Sequence, residues 1–154
     1  MSDDVLSVIP TDPYWQPEPS AADRAGTLVT ALTGGLAADT DAETEVDWYD
    51  APTVVDSGQN LERIGCPACR ASIDRAWWED LVEAHEDGFP TLDVSVPCCG
   101  AATTLDRLDY DRPCGFARFE IAVWNPETDG LGDEELAALA EALGHPVRQI
   151  RAHI

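Results

Sequence analysis

Two strand-helix-strand stretches, one at each end of a 154-residue chain, flank a middle segment that carries two cysteine clusters. This arrangement predicts an α+β fold: a ferredoxin-like antiparallel sheet with helices on one face, carrying an inserted zinc-ribbon-like module. Three observations lead there. The outer stretches alternate between a period of two and a period near 3.6. Each passes from strand to helix through a proline-bearing loop with an aromatic, Pro13-Tyr14-Trp15-Gln16-Pro17 in one and Trp124-Asn125-Pro126 in the other. The cysteine-rich stretch lies between the halves. Residues 1–154 therefore read as a single domain, with 61–114 a zinc-binding insertion within it. A rival threading builds the sheet from 61–65, 91–96, 116–124 and 147–154, but it leaves residues 5–50 unused.

The elements follow in order. Val5 to Ile9 is an apolar run that fits a strand, and the four prolines from Pro10 to Pro19 exclude a helix or central strand there. Ser20, with Asp23 three residues on, reads as the N-cap of a helix over 20–33 whose apolar face is Ala21, Ala25, Leu28 and Leu32. Gly34-Gly35 ends it. Leu36 to Thr44 is small and acidic, suited to an exposed loop. Val46 and Trp48 then alternate with Glu45, Asp47 and Tyr49 as a half-buried strand does, Thr53 to Val55 continue it, and 56–60 is turn chemistry.

In the middle segment, Ser72 is the expected cap of a helix with Ile73, Trp77, Leu81 and Ala84 on one face, closed by Gly88 and Pro90. Thr91 to Val96 alternates as a strand, and Leu105 to Pro113 reads as a charged connection. Phe116 to Trp124 is the best strand pattern, with Ala117, Phe119, Ile121 and Val123 on one face. Asp133, Glu134 and Glu135 place negative charge at a helix N-terminus. Leu136, Leu139, Ala140 and Leu143 form the buried stripe of that helix before Gly144 and Pro146 stop it. Val147 to Ile154 is the last strand.

The chemistry sits between Gly65 and Gly100. Cys66-Pro67-Ala68-Cys69 opens this stretch and Pro97-Cys98-Cys99-Gly100 closes it. Tetrahedral zinc takes four thiolates, and a C-x-x-C turn presents two of them on one knuckle, so Cys66, Cys69, Cys98 and Cys99 are the expected ligands of one structural Zn2+. Zinc ribbons usually read C-P-x-C-G twice. Here Arg70 stands at the first glycine, and the second pair is adjacent rather than spaced. Two neighbouring cysteines reach one metal only across a tight turn, which leaves Cys114 as an alternative to Cys98 or Cys99. His85, in an acidic helix, reads as a surface histidine, and His145 and His153 have no ligand spacing. Asp106, Asp109 and Asp111 read as a solvated loop, and Tyr14 and Trp15 as aromatics packed on the sheet edge.

Charge narrows the function. Thirty Asp plus Glu against nine Arg and no Lys leave a net charge of -21 and a pI near 4.1. Such a field repels phosphate backbones and anionic membranes, which argues against direct nucleic-acid or membrane binding and favours a basic protein partner. No apolar run approaches the ~18 residues that cross a bilayer, and Met1-Ser2-Asp3-Asp4 lacks the basic start of a signal peptide, so a reducing cytoplasm is expected. No phosphate loop, H-E-x-x-H or G-x-S-x-G pattern is present. The expectation is a zinc-stabilised, non-catalytic interaction protein of adaptor, inhibitor or immunity type. The alternative is a thioredoxin-like thiol oxidoreductase using Cys66 and Cys69.

Val8-Ile9-Pro10-Thr11-Asp12-Pro13, Asn60-Leu61-Glu62-Arg63-Ile64, the Cys66 to Cys69 knuckle, Trp77-Trp78, Pro97 to Gly100 and Gly115-Phe116-Ala117-Arg118-Phe119 span most of the chain. Together they resemble a family of uncharacterised actinobacterial proteins. The resemblance implies a shared architecture and no particular activity.

Overall fold

In the computed structural model, residues 3–55 and 62–153 are described. The turn expected at 56–60, Leu61, at which the expected insertion begins, and the terminal Ile154 lie outside them. The strands are β1 (Asp4–Pro10), β2 (Glu43–Val55), β3 (Ile64–Gly65), β4 (Asp93–Ser95), β5 (Ala102–Thr104), β6 (Asp109–Tyr110), β7 (Gly115–Trp124) and β8 (Val147–His153). The helices are α1 (Pro19–Leu32), α2 (Arg75–Ala84) and α3 (Asp133–Leu143). One sheet has the order β2-β7-β1-β8 with every neighbouring pair antiparallel, and two small two-stranded pairs, β3-β6 and β4-β5, stand apart from it. The rival threading, which put 61–65 and 91–96 into the main sheet, is thereby excluded.

Register decides which side chains meet. Leu6 stands opposite Val123 and Val8 opposite Ile121, so these four residues share a face. On that face, together with Phe119, they pack against Ala22, Ala25 and Val29 of α1 and Leu139 and Leu143 of α3. Each such large side chain contributes about 1.5–3 kcal/mol on burial, whereas an exposed pair such as Arg75–Glu79 contributes at most about 1 kcal/mol. The apolar face therefore determines the fold. On the opposite face Ser7 Oγ and the Tyr49 hydroxyl both donate to the Glu120 carboxylate.

Several element boundaries differ from expectation for local reasons. Helix α1 begins at Pro19, whose fixed φ and missing N–H suit the first helical position, with Glu18 as N-cap; Ser20 lies inside the helix and caps nothing. Helix α2 begins at Arg75, because the Asp74 carboxylate accepts the Ala76 N–H. Ser72 bridges to Gly65 instead, and the Ile73 N–H donates to the Ile64 carbonyl, so neither is available to the helix. Trp78, not Trp77, is the buried tryptophan of α2. Residues 105–113 are more than a charged connection: Leu105 and Leu108 are buried, a 3-10 turn spans Leu105–Arg107, and β6 pairs with β3.

The middle segment has its own core, built from Ile64, Cys66, Ile73, Trp78, Phe89, Leu92, Val96, Leu105, Leu108 and Cys114. Phe116 of β7 belongs to the same cluster, and Val54 of β2 packs on it. Backbone links add to this apolar joint, since the Phe89 N–H donates to the Pro52 carbonyl and the Leu92 N–H to the Tyr14 hydroxyl.

Strand β2 is irregular between Trp48 and Thr53, where its register against β7 shifts. Shifted carbonyls need donors from elsewhere. Gln16, on the proline-rich loop, supplies them: its Nε2 donates to the carbonyls of Tyr49 and Arg118, at 3.0 Å each. Gln16→Ala leaves both acceptors without that donor and is expected to destabilise by about 1–3 kcal/mol, read as a lower urea midpoint at unchanged slope. An unchanged midpoint would mean that water replaces the amide at no cost.

Candidate metal centre

Two turns of the same construction face each other. In the first, the Cys66 N–H donates to the Ala71 carbonyl at 2.9 Å and the Arg70 N–H to the Cys66 carbonyl at 3.0 Å. In the second, the Val96 N–H donates to the Ala101 carbonyl at 3.0 Å and the Gly100 N–H to the Val96 carbonyl at 2.8 Å. Arg70 and Gly100, at φ 67° and 74°, hold the same left-handed position. Cys69 and Cys99 are thus equivalent, Val96 takes the place of Cys66, and Cys98 takes that of Ala68.

This equivalence was missed from sequence, although the repeated pattern P-x-C-x-A, Pro67 to Ala71 and Pro97 to Ala101, was its signal. It shows how adjacent cysteines reach one point: the chain between them is inside a tight turn. The Sγ atoms of Cys66, Cys69, Cys98 and Cys99 all lie within 4.8 Å of one another. Cys69 and Cys98 sulfurs are 3.4 Å apart, and Cys66 and Cys99 sulfurs 3.8 Å. Metal–sulfur bonds of about 2.3 Å in tetrahedral geometry require sulfur pairs about 3.8 Å apart. The four cysteines are in no disulfide and could hold a metal ion.

The electrostatics of the cluster fit a cation. The amides of Cys69 and Ala68 both point at Cys66 Sγ, at 3.4 Å, and pull that thiol down to about 6. Desolvation and hydrogen bonds with Cys69 and Cys66 push Cys98 up to about 12. Cys99 is also raised: the Ala101 amide favours its thiolate, but desolvation and the neighbouring sulfurs outweigh it. Sulfurs this close resist sharing four negative charges, and a divalent cation reverses that balance.

The remaining candidates fall elsewhere. Cys114 is buried in the core of the middle segment and is not in the four-sulfur group. His85 ends α2, its Nδ1 2.8 Å from the Leu81 carbonyl and its ring stacked on Phe89. His145 stacks on Trp15, and His153 sits 2.8 Å from Asp4. Asp111 accepts the Glu62 N–H; burial works against its charge, but this amide, that of Arg63 and the nearby Arg112 hold it below the usual carboxylate range. Trp15 packs on the sheet-and-helix core as expected of an edge aromatic, whereas Tyr14 is 47% exposed and reaches the middle segment. A cavity of about 580 Å³ bordered by Asp4, Arg112, Glu127 and Arg151 contains none of the cysteines.

A left-handed arginine is strained by roughly 1–2 kcal/mol, partly offset by the entropy that glycine loses on folding. Arg70 is exposed. Arg70→Gly is therefore expected to stabilise the metal-loaded protein by about 0.5–1 kcal/mol. A lower denaturant midpoint would show that the Arg70 side chain makes a needed contact.

No family model, curated protein or solved structure matches the chain. Among the described residues no helix is long and apolar enough to cross a membrane.

Proposed function

We propose that this chain is a zinc-stabilised, strongly acidic interaction protein, non-catalytic and of adaptor, inhibitor or immunity type, that binds a basic protein in a reducing cytoplasm. The observation that carries the reading is the convergence of four cysteine sulfurs on two matched turns, none of them lining the 580 Å³ cavity. A closed tetrathiolate set suits zinc and leaves no open coordination position for catalysis. Its task is to hold the two turns together. The sheet order β2-β7-β1-β8, with α1 and α3 on a common core, supports a ferredoxin-like frame into which a zinc-ribbon-like module is inserted. Kinship with the actinobacterial family belongs to the same proposal.

The acidity supports the partner. Among the described residues Arg75 pairs with Glu79 and His153 lies 2.8 Å from Asp4, and nine Arg cannot balance thirty Asp and Glu, so a net negative field extends outward. The thioredoxin-like alternative needs Cys66 and Cys69 as an isolated dithiol, and their approach to Cys98 and Cys99 weighs against it.

Metal analysis of untagged protein is expected to return one zinc per chain. A pull-down from native lysate at low and then moderate salt tests the partner, because exposed charges are screened beyond about 8 Å at physiological ionic strength. A stoichiometric basic protein released by salt is expected. Recovery of only neutral or acidic proteins, held equally at high salt, would reject the reading and leave the acidity as a solubility device.

A further inference from the structure

The four sulfurs are not equally placed. Cys66 is 1% exposed within the core of the middle segment, whereas Cys69, Cys98 and Cys99 are exposed. A separation of 3.4 Å, against 3.8 Å between Cys66 and Cys99, joins two exposed residues on opposite turns, Cys69 and Cys98. Adjacent Cys98 and Cys99 share one tight turn that is closed by its own backbone hydrogen bonds, and a disulfide between them would have to distort it. Cys66 holds the amides of Ala68 and Cys69 on its sulfur, and bonding it to Cys69 would give these up.

We propose that Cys69 and Cys98 form a peroxide-sensitive pair, which exchanges the metal for a disulfide across the two turns while leaving those turns facing each other. The inference rests on the zinc reading above. A hydroperoxide oxidises the Cys69 thiolate: sulfur attacks the distal oxygen, the O–O bond breaks, and sulfenic acid and water (or an alcohol) result. Cys98, which is a thiolate only while a cation offsets the neighbouring sulfurs, then attacks the Cys69 sulfur before the metal is lost, forming the S–S bond and expelling hydroxide, which is protonated to water. Two electrons pass from the two sulfurs to one peroxide. Cys66 and Cys99 remain as two thiolates, too few for a closed tetrahedral set.

The fold makes this exchange local. The sheet and α1 and α3 close a core that contains no residue of the middle segment. A bond from Cys69 to Cys98 ties together the same two turns that the metal ties. Oxidation thus releases metal without opening the module, whereas chelation of the reduced protein releases metal and opens it.

Zinc-loaded full chain treated with one equivalent of hydrogen peroxide, in the presence of a chromogenic chelator, tests this. Metal content before treatment tests the zinc reading separately. The expected result is release of about one zinc per chain, restored by dithiothreitol and added zinc. Residues 64–70 and 76–107 each carry two of the cysteines after cleavage at arginine, so fragmentation across the linked peptides must locate the bond. It is expected at Cys69–Cys98. Amide exchange over α2 is expected to stay slow in the oxidised, metal-free form and to become fast in the reduced, chelated form. Cys114→Ser, which lowers stability by adding a hydroxyl to the buried cluster, is expected to keep its zinc and to release it on peroxide treatment as the parent does. Zinc retained through treatment, a bond within one turn, or oxidation to sulfinic acid without a disulfide would each overturn the proposal.

Discussion

Cys66→Ser is expected to abolish metal binding and to unfold the middle segment while the four-stranded sheet survives. Cys66 sits at the junction of the two roles of this segment, since its sulfur is 3.8 Å from that of Cys99 and its side chain is part of the buried cluster with Ile64, Val96 and Phe116. Structural zinc contributes on the order of 10–16 kcal/mol in apparent folding energy at pH 7 in small modules. Serine is a poor zinc ligand and adds a hydroxyl to an apolar core, so both effects act in the same direction. The sheet is spared because Leu6, Val8, Phe119, Ile121 and Val123 pack on α1 and α3, not on the middle segment. Metal analysis with residue-resolved amide exchange reads the outcome. A variant that keeps one metal per chain, or that loses protection in β1 and α3 as readily as in α2, would sink this account.

Phe116→Ala is the second large effect. Phe116 is 2% exposed, lies in β7 of the main sheet, and meets Phe89 edge-on at 5.6 Å across the joint with the middle segment. Removing a buried phenylalanine costs about 3–5 kcal/mol, through lost transfer energy and the cavity left behind. For a chain of this size that lowers the melting temperature by on the order of 10 °C. Unlike Cys66→Ser, it strikes both units at once and should preserve metal stoichiometry, because the sulfurs lie on turns that Phe116 does not form. A melt that separates into two transitions with the metal-free step unchanged would show that the joint carries little energy. A drop below about 1 kcal/mol would show that neighbours collapse into the space.

Much of the main frame was legible because strong periodicity is a local property. The alternation of Phe116 to Trp124, the apolar stripe of Leu136, Leu139 and Leu143, and the short run of Val5 to Ile9 each correspond to a strand or helix at nearly the expected bounds. Helix starts were less legible, because the cap depends on which competitor the backbone prefers: Pro19 displaced Ser20, and Asp74 displaced Ser72 once the latter's backbone was drawn to Gly65. In 105–113 the charges concealed Leu105 and Leu108, whose burial comes from partners distant in sequence.

Amino-acid order alone determined the mixed α+β class, the unbalanced negative charge, and the grouping of Cys66, Cys69, Cys98 and Cys99 as the candidate metal set, since each follows from composition or short-range spacing. Only the tertiary structure decided that the adjacent Cys98 and Cys99 both reach the other pair and that Cys114 does not. It also decided which strands are neighbours in the sheet and where Gln16 is needed. The physical reason is common to all of these: they depend on backbone turns and registers that bring together atoms tens of residues apart, and chain spacing carries no record of those distances.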